Sequence, residues 1–193
     1  MPTKRDMITD LKHYIVHQKK YLQNDFCDKV LKDLKQIKFS EHYYYNDITG
    51  TYSTSGDQEF SISWEDCPSR LELTNKLHDA IQNYINFIDM PWFSAWNGYT
   101  PIRFHEYKEN KKMAMHCDHV HSMFDGKRKG IPILSVLGLL NDDYEGGEFI
   151  IFKNNEIKLN KGDIIIFPSN FLYPHKVEPV KKGTRYSYIT WVW

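Results

Sequence analysis

Two short patterns in this chain carry side chains suited to holding a metal ion and an anion. His116-Cys117-Asp118 places an imidazole and a carboxylate two residues apart. On an extended chain residues i and i+2 share a face, so the two would project together while Cys117 faces the other way. A third ligand must come from elsewhere. His175, at the end of the run Leu172-Tyr173-Pro174-His175 in a β-rich stretch, is the best candidate. Two imidazoles and one carboxylate cover one face of an octahedral ion and leave three positions open, an arrangement suited to non-haem Fe(II) and oxygen chemistry. Taken alone, a His-x-Asp triplet in a chain with 9 histidines reads more readily as a surface turn.

The second pattern changes that balance. Arg185 follows His175 by ten residues and opens an apolar strand that runs to Trp193, with Ser187 on the same face. An arginine in an apolar strand is costly to bury without a partner. A guanidinium binds a carboxylate bidentately, and a neighbouring hydroxyl can add a third hydrogen bond. The alternative is an edge-strand arginine with its head in solvent. The ordered set His-x-Asp, His, Arg-x-Ser is far more specific than its parts, and it points to a metal with an acidic co-substrate.

These residues need a rigid scaffold, and the second half of the chain supplies strand-like segments. Candidate strands are Ile102–Tyr107, Met113–His116, Ile133–Leu140, Gly147–Phe152, Asp163–Phe167, Leu172–Val177 and Arg185–Trp193, separated by turn residues. Many short strands at this spacing suggest a sandwich or barrel. Gly146 and Gly147 suit a tight turn. Upstream, Asn24 or Asp25 is placed to cap a helix through Phe26, Val30, Leu31 and Leu34. Apolar residues at three- and four-residue spacing predict a second helix from Ser69 to Ile88, with Pro91 beyond it. Between them Glu41–Ser63 reads as a hairpin or a mobile loop. The expected organisation is a single domain over 1–193: mainly β with flanking helices, with helical support over about 1–91 and a β core over about 92–193.

Composition narrows the function. The chain has 193 residues, 41% hydrophobic and 15% aromatic, enough for one sizeable core. Lys+Arg and Asp+Glu balance at 25 each, which argues against a nucleic-acid-binding domain built on phosphate neutralisation. The first residues lack the apolar stretch of a signal peptide, and no apolar run approaches a membrane span. Cys27, Cys67 and Cys117 are odd in number and widely spaced, which suits a reducing, cytoplasmic setting.

With these residues in place, the chain resembles the 2-oxoglutarate and Fe(II)-dependent oxygenases, and among them the prolyl-4-hydroxylase-like group. The resemblance covers roughly 92–193. FHEYKENKKMAMHCDH resembles the segment with a Tyr nine residues before the first ligand, and LSVLGLLNDDYEGGEFIIF the strand and Gly-Gly turn that follow. KGDIIIFPSNFLYPHKVEPVKKGTRYSYITW resembles the closing segment with the second His and the co-substrate Arg. Collagen-type enzymes usually place Lys where this chain has Arg185. The resemblance implies a double-stranded β-helix, or jelly roll, with iron at its open end. It implies His116, Asp118 and His175 as ligands, Arg185 on the distal carboxylate of 2-oxoglutarate with Ser187 beside it, and Tyr107 as a hydrogen-bond donor to the co-substrate. Members of the group often have Tyr or Thr contacts to the co-substrate in the strand at Leu134–Leu140, where Ser135, the one polar group here, is the matching candidate. Trp191 matches a Trp near the active site of relatives, or packs in the core. The resemblance further implies O2 as the other co-substrate, ascorbate as a further cofactor, and hydroxylation of an unactivated C–H bond with release of succinate and CO2 as the reaction.

Substrate is more open. A protein or peptide, with a prolyl residue as target, is the first expectation. A free amino acid or other small molecule is the second. Nucleic-acid demethylation is disfavoured, because those relatives usually carry a further Arg where this chain has Trp191. A cupin-like binding protein is the non-enzymatic alternative. Oligomeric state is not legible. The aromatic run at His42–Tyr45 with Trp64, and the stretch 119–130 with Asp125, Lys127 and Arg128, are candidate rims over a substrate. His105, His119 and His121 read as supporting or exposed residues.

Overall fold

The strand Leu134–Leu139 is buried along its whole length, so both its faces are covered, and the two coverings define the fold. The computed structural model describes residues 9–46, 49, 51–54, 56, 58–90, 96–118 and 132–193. The expected rim at 119–130, with His119 and His121, lies outside them, as do Pro91 and Trp92. In chain order the described strands are β1 (Val16–Gln18), β2 (Ser40–Glu41), β3 (Tyr43–Asn46), β4 (Thr51–Thr54), β5 (Ser61–Ser63), β6 (Arg103–Tyr107), β7 (Met113–His116), β8 (Leu134–Leu139), β9 (Glu145–Gly146), β10 (Phe149–Ile151), β11 (Asn155–Ile157), β12 (Ile164–Pro168), β13 (His175–Val177), β14 (Val180–Lys182) and β15 (Arg185–Val192). The helices are α1 (Asn24–Leu34) and α2 (Arg70–Ile88).

Seven strands form one sheet in the order β1-β12-β8-β15-β6-β5-β2, and four form another in the order β11-β10-β13-β7. From β6 onward the chain alternates between them: β6, β8, β12 and β15 lie in the large sheet, β7, β10 and β13 in the small one. Two facing antiparallel sheets laced in this way are a double-stranded β-helix, the architecture the sequence resemblance implies. β3 and β4 form a separate hairpin, so part of Glu41–Ser63 is ordered as strands.

Side-chain alternation sorts the large sheet into two faces. Leu134, Val136, Ile164, Ile166, Tyr188 and Val192 pack with Val30 and Leu34 of α1 and with Leu73, Leu77, Ile81 and Tyr84 of α2. Each large apolar side chain buried there contributes about 1.5–3 kcal/mol. The opposite face points into the roll, where Leu137, Ile165 and Phe167 meet Phe149, Ile151 and Val177 of the small sheet.

Two local readings change. Asn24 and Asp25 do not cap α1 but lie inside its first turn, and Gln23 occupies the cap position without a side-chain bond. The Asp25 carboxylate accepts the Phe26 N–H instead, so it is spent on its immediate neighbour. The strand expected at Leu172–Val177 is confined to its last three residues, because Tyr173 closes a turn onto Asn170 and Pro174 has no N–H for a ladder. No helix among the described residues is long and apolar enough to cross a membrane.

Gly138 of β8 sits opposite Tyr188 of β15, and a Cβ built there would lie 2.1 Å from the phenol ring. Gly138→Ala should therefore cost about 1–3 kcal/mol by overpacking. A urea-unfolding midpoint equal to that of the wild type would show that Tyr188 moves aside freely.

Candidate metal centre and anion pocket

β13 and β7 pair so that His175 stands directly across from His116. The register shifts between this pair and Val177↔Met113, which makes room for an extra residue on β7 and bends the strand just before its ligand. Asp118 follows β7 by two residues and is buried. The ligand atoms of His116, Asp118 and His175 all lie within 4.8 Å of one another. His116 Nε2 is 3.3 Å from Asp118 Oδ1, and His175 Nε2 is 3.7 Å from Asp118 Oδ2.

The chain also fixes which ring nitrogen faces the centre. His116 Nδ1 lies 2.8 Å from the Ala114 carbonyl and His175 Nδ1 3.1 Å from the Tyr173 carbonyl. A carbonyl can only accept, so each Nδ1 carries a proton and Nε2 is the ring nitrogen that faces the shared space. Asp118 is held from behind. Ser135 Oγ donates to its Oδ2 at 2.6 Å, and Ser169 Oγ lies 2.6 Å from Ser135 Oγ. Outer partners of this kind orient ligands toward a metal. Ser135 was expected to touch the co-substrate; the structure instead turns its hydroxyl to the ligand carboxylate.

Electrostatics fit an anionic ligand between two imidazoles. Burial works against ionisation of Asp118, but the charges of His175 and His116 and the bonds from His116 and Ser135 outweigh it, and its pKa falls far below the usual carboxylate range. Burial pushes His175 down to about 4. Burial also opposes protonation of His116, but its bond to Asp118 prevails and its pKa is raised.

The inner face of the large sheet carries the remaining candidates. Arg185 pairs with Tyr107 and Ser187 with His105 across β15 and β6, so all four share that face. Arg185 is 1% exposed. Its Nη1 donates to Ser187 Oγ at 2.8 Å, its guanidinium carbon lies 5.0 Å from the centre of the Tyr107 ring, and its Nε has no partner. Among the described residues no carboxylate pairs with it. Tyr107 is itself buried, stacked on Phe60 at 4.5 Å, and burial pushes its phenol pKa up. Gly147 lets this cluster close: at φ +65° it adopts a left-handed conformation, and a Cβ there would come 3.0 Å from Arg185 Cδ.

Some of this was invisible in the sequence. Ser169 and the Tyr173 and Ala114 carbonyls gave no signal, because they act through contacts between distant elements. Arg103 could have been found, and His105, read as a supporting or exposed residue, could have been placed on the inner face. They alternate with Tyr107 along β6, at i, i+2 and i+4, and so had to share its face.

Comparisons with known proteins place this geometry in context. The profile of the 2OG-Fe(II) oxygenase superfamily matches residues 102–193. A PKHD-type hydroxylase from Psychrobacter sp. (strain PRwf-1) is 30% identical over 171 residues, covering 84% of this chain and 64% of that one. The chain spans 58% and 64% of the length of two of the curated relatives it matches and 44% of a third. Among solved structures, a viral collagen prolyl hydroxylase from Paramecium bursaria Chlorella virus-1 has a TM-score of 0.67 at 18% identity, covering 93% of this chain and 94% of its own. A prolyl hydroxylase from Trichoplax adhaerens, in complex with a hypoxia inducible factor oxygen degradation domain peptide fragment, has a TM-score of 0.69 at 18% identity, covering 94% and 84%. At that identity the two share the fold of this chain.

Ser135→Ala removes the hydroxyl that holds Asp118. It should weaken divalent-metal binding by about 10- to 100-fold, read by titration with Mn(II) or Co(II). Unchanged affinity would show that Asp118 is oriented without it.

Proposed function

The chain belongs to the 2OG-Fe(II) oxygenase superfamily through residues 102–193, and on that footing we propose that it is an Fe(II)- and 2-oxoglutarate-dependent dioxygenase hydroxylating an unactivated C–H bond, with a prolyl residue in a protein or peptide as first candidate target. One observation carries the reading: a buried guanidinium without an acidic partner among the described residues lies in the same roll in which two imidazoles and a carboxylate converge. The first feature calls for an anion and the second for a divalent ion, and a chelating dicarboxylate satisfies both.

His116 Nε2, His175 Nε2 and one oxygen of Asp118 would hold the ion. A ferrous ion bound there supplies the redox chemistry that couples decarboxylation of 2-oxoglutarate to oxygen insertion into a C–H bond, leaving succinate and CO2. The protein's share is positional. Arg185 binds the distal carboxylate of the co-substrate, with Ser187 fixing the guanidinium plane and Tyr107 closing the pocket. Ser135 and the Ala114 and Tyr173 carbonyls keep the ligands aimed. Leu137, Ile165, Phe167 and Phe149 wall the interior with apolar surface, which keeps water from the reacting centre. No protein nucleophile is required. Ascorbate as a reductant that maintains the ferrous state belongs to the same proposal. Peptide substrate is supported by the Trichoplax adhaerens neighbour, which holds a peptide on the same fold.

The test is succinate formation from 2-oxoglutarate with Fe(II) and O2. His175→Ala should abolish it, and persistence would remove His175 from the ligand set. Arg185→Leu should raise the KM for 2-oxoglutarate by about ten- to a hundredfold, the worth of a charge-assisted bidentate bond. An unchanged KM would mean that the buried guanidinium serves packing alone.

A further inference from the structure

A second guanidinium stands on the inner face, and nothing above uses it. Arg103 pairs with Ile189 of β15, at the opposite end of β6 from Tyr107. Four residues of extended chain separate Arg103 from Tyr107, about 13 Å. Arg185 therefore marks one end of this face and Arg103 the other.

The Arg103 end is the metal end. Trp191 pairs directly with Ser135, whose hydroxyl holds Asp118. The Arg103 guanidinium carbon lies 4.7 Å from the centre of the Trp191 ring, 5.8 Å from that of Trp64 and 6.0 Å from that of Phe60. These rings hold a cation without neutralising it. Nε donates to His105 Nε2 at 2.9 Å, which fixes the plane of the guanidinium and leaves its Nη groups without a protein acceptor among the described residues. His105 is buried; burial and the adjacent Arg103 push its pKa well down, so it stays a neutral acceptor. Burial lowers the Arg103 pKa to about 10, which keeps the group charged at neutral pH. Asp118 and Glu59 are the acidic side chains within electrostatic reach; Asp118 is held among His116, His175 and Ser135, and Glu59 is tied to His42 at 2.8 Å. Trp191 Nε1 is buried and lacks an acceptor. Unlike Arg185, Arg103 is only half buried, and Trp64 and Tyr43, both near it, are each 40% exposed.

A fixed, charged fork beside the metal ligands, with its Nη donors unpaired among the described residues and reachable from solvent, is a recognition element for an anion distinct from the co-substrate. We infer that Arg103 anchors a carboxylate of the primary substrate, so that the hydroxylated C–H bond belongs to an acid. Carboxylate is the chemistry the flat fork of the guanidinium fits bidentately. Two sources share it: the α-carboxylate of a free amino acid, and the acidic side chain or C-terminus of a peptide. The inference rests on the oxygenase reading and narrows its substrate.

Matched probes decide it. Proteinogenic amino acids and proline-containing peptides are offered as pairs differing only in a carboxylate: amino acid against its amide, free C-terminus against amidated, Asp against Asn beside the proline. Binding is read by calorimetry on protein holding Mn(II) and 2-oxoglutarate without O2, and turnover by a mass gain of one oxygen with Fe(II) and O2. Acid members should bind at least about tenfold more tightly than their partners. Arg103→Met should bring each pair within about twofold, and Arg103→Lys should restore part of the preference. Arg103→Gln serves the same purpose should the methionine variant fail to fold. Which kind of pair responds tells the two carboxylate sources apart. Equal binding of acids and amides by the wild type, binding by neither, or a preference that survives Arg103→Gln overturns the inference. If the wild type makes no succinate from 2-oxoglutarate at all, the oxygenase reading itself falls. Succinate formation together with equal binding of acids and amides fells only the role of Arg103.

Discussion

Arg185 and Tyr107 face each other across β15 and β6, with the guanidinium over the phenol ring at 5.0 Å, in a part of the roll closed to water. The ring and the Ser187 hydroxyl ease the charge but do not replace the water it lost. A buried unpaired ion costs several kcal/mol even after relaxation. The fold tolerates it because the surrounding β-ladder and two apolar layers are stabilised independently of it. What remains is a pocket whose energy falls when a carboxylate enters. On the proposed function Gly147 and Ser187 would matter for the same reason, since each fixes where that charge sits without neutralising it.

The rest of the site follows from strand register. In a sheet the side-chain period is two, so slipping β15 by one residue would turn Arg185, Ser187 and Trp191 toward the helices and bring Tyr186 and Tyr188 into the roll. Burial on both faces forbids that slip, because Tyr188 and Val192 have partners only in the helical layer. The metal ligands depend on a different register, that of β13 on β7. There the irregularity beside the His175↔His116 pair bends the strand, and Ala114 is left with a carbonyl free to orient His116. Two sheets therefore bring two halves of one centre, and the apolar contacts between them set the distance.

This explains which parts were legible in the sequence. Most strands of the roll are long or strongly apolar, and β6, β7, β8, β12 and β15 could be read within a residue or two, whereas the three-residue β13 that carries His175 was drawn too long. His116 with Asp118, and Arg185 with Ser187, were visible because a two-residue spacing implied a shared face, and His175 because it completed the ordered set. β1, β9, β11 and β14 were not, since two or three residues show no period and form only where a neighbouring strand offers a ladder. The cap of α1 was misread for a related reason. Asp25 has the composition of a cap, but the helix begins after Gln23, and packing of Phe26 and Val30 on the sheet decides where the first turn falls. Ser135 was correctly singled out as a polar group in an apolar strand. Its partner could not be read, because Asp118 reaches it from the other sheet.

Arg103 escaped notice as one charge among many, and its meaning comes from charge balance on the inner face. Asp118 offsets one of the two guanidinium charges there, Arg103 and Arg185. A divalent ion at the His-Asp-His set would leave three positive charges, with both histidines neutral as ligands. A 2-oxoglutarate dianion removes two of them, at the metal and at Arg185. One positive charge then remains, and it sits where Trp191, Trp64 and Phe60 hold Arg103. In a roll walled by Leu137, Ile165 and Phe167 an excess charge is strongly felt. A substrate without a carboxylate would leave it unanswered beside the reacting carbon. A carboxylate set against Arg103 would answer it, and only once the metal and the co-substrate were both in place. Order of binding and choice of substrate would then share one electrostatic cause.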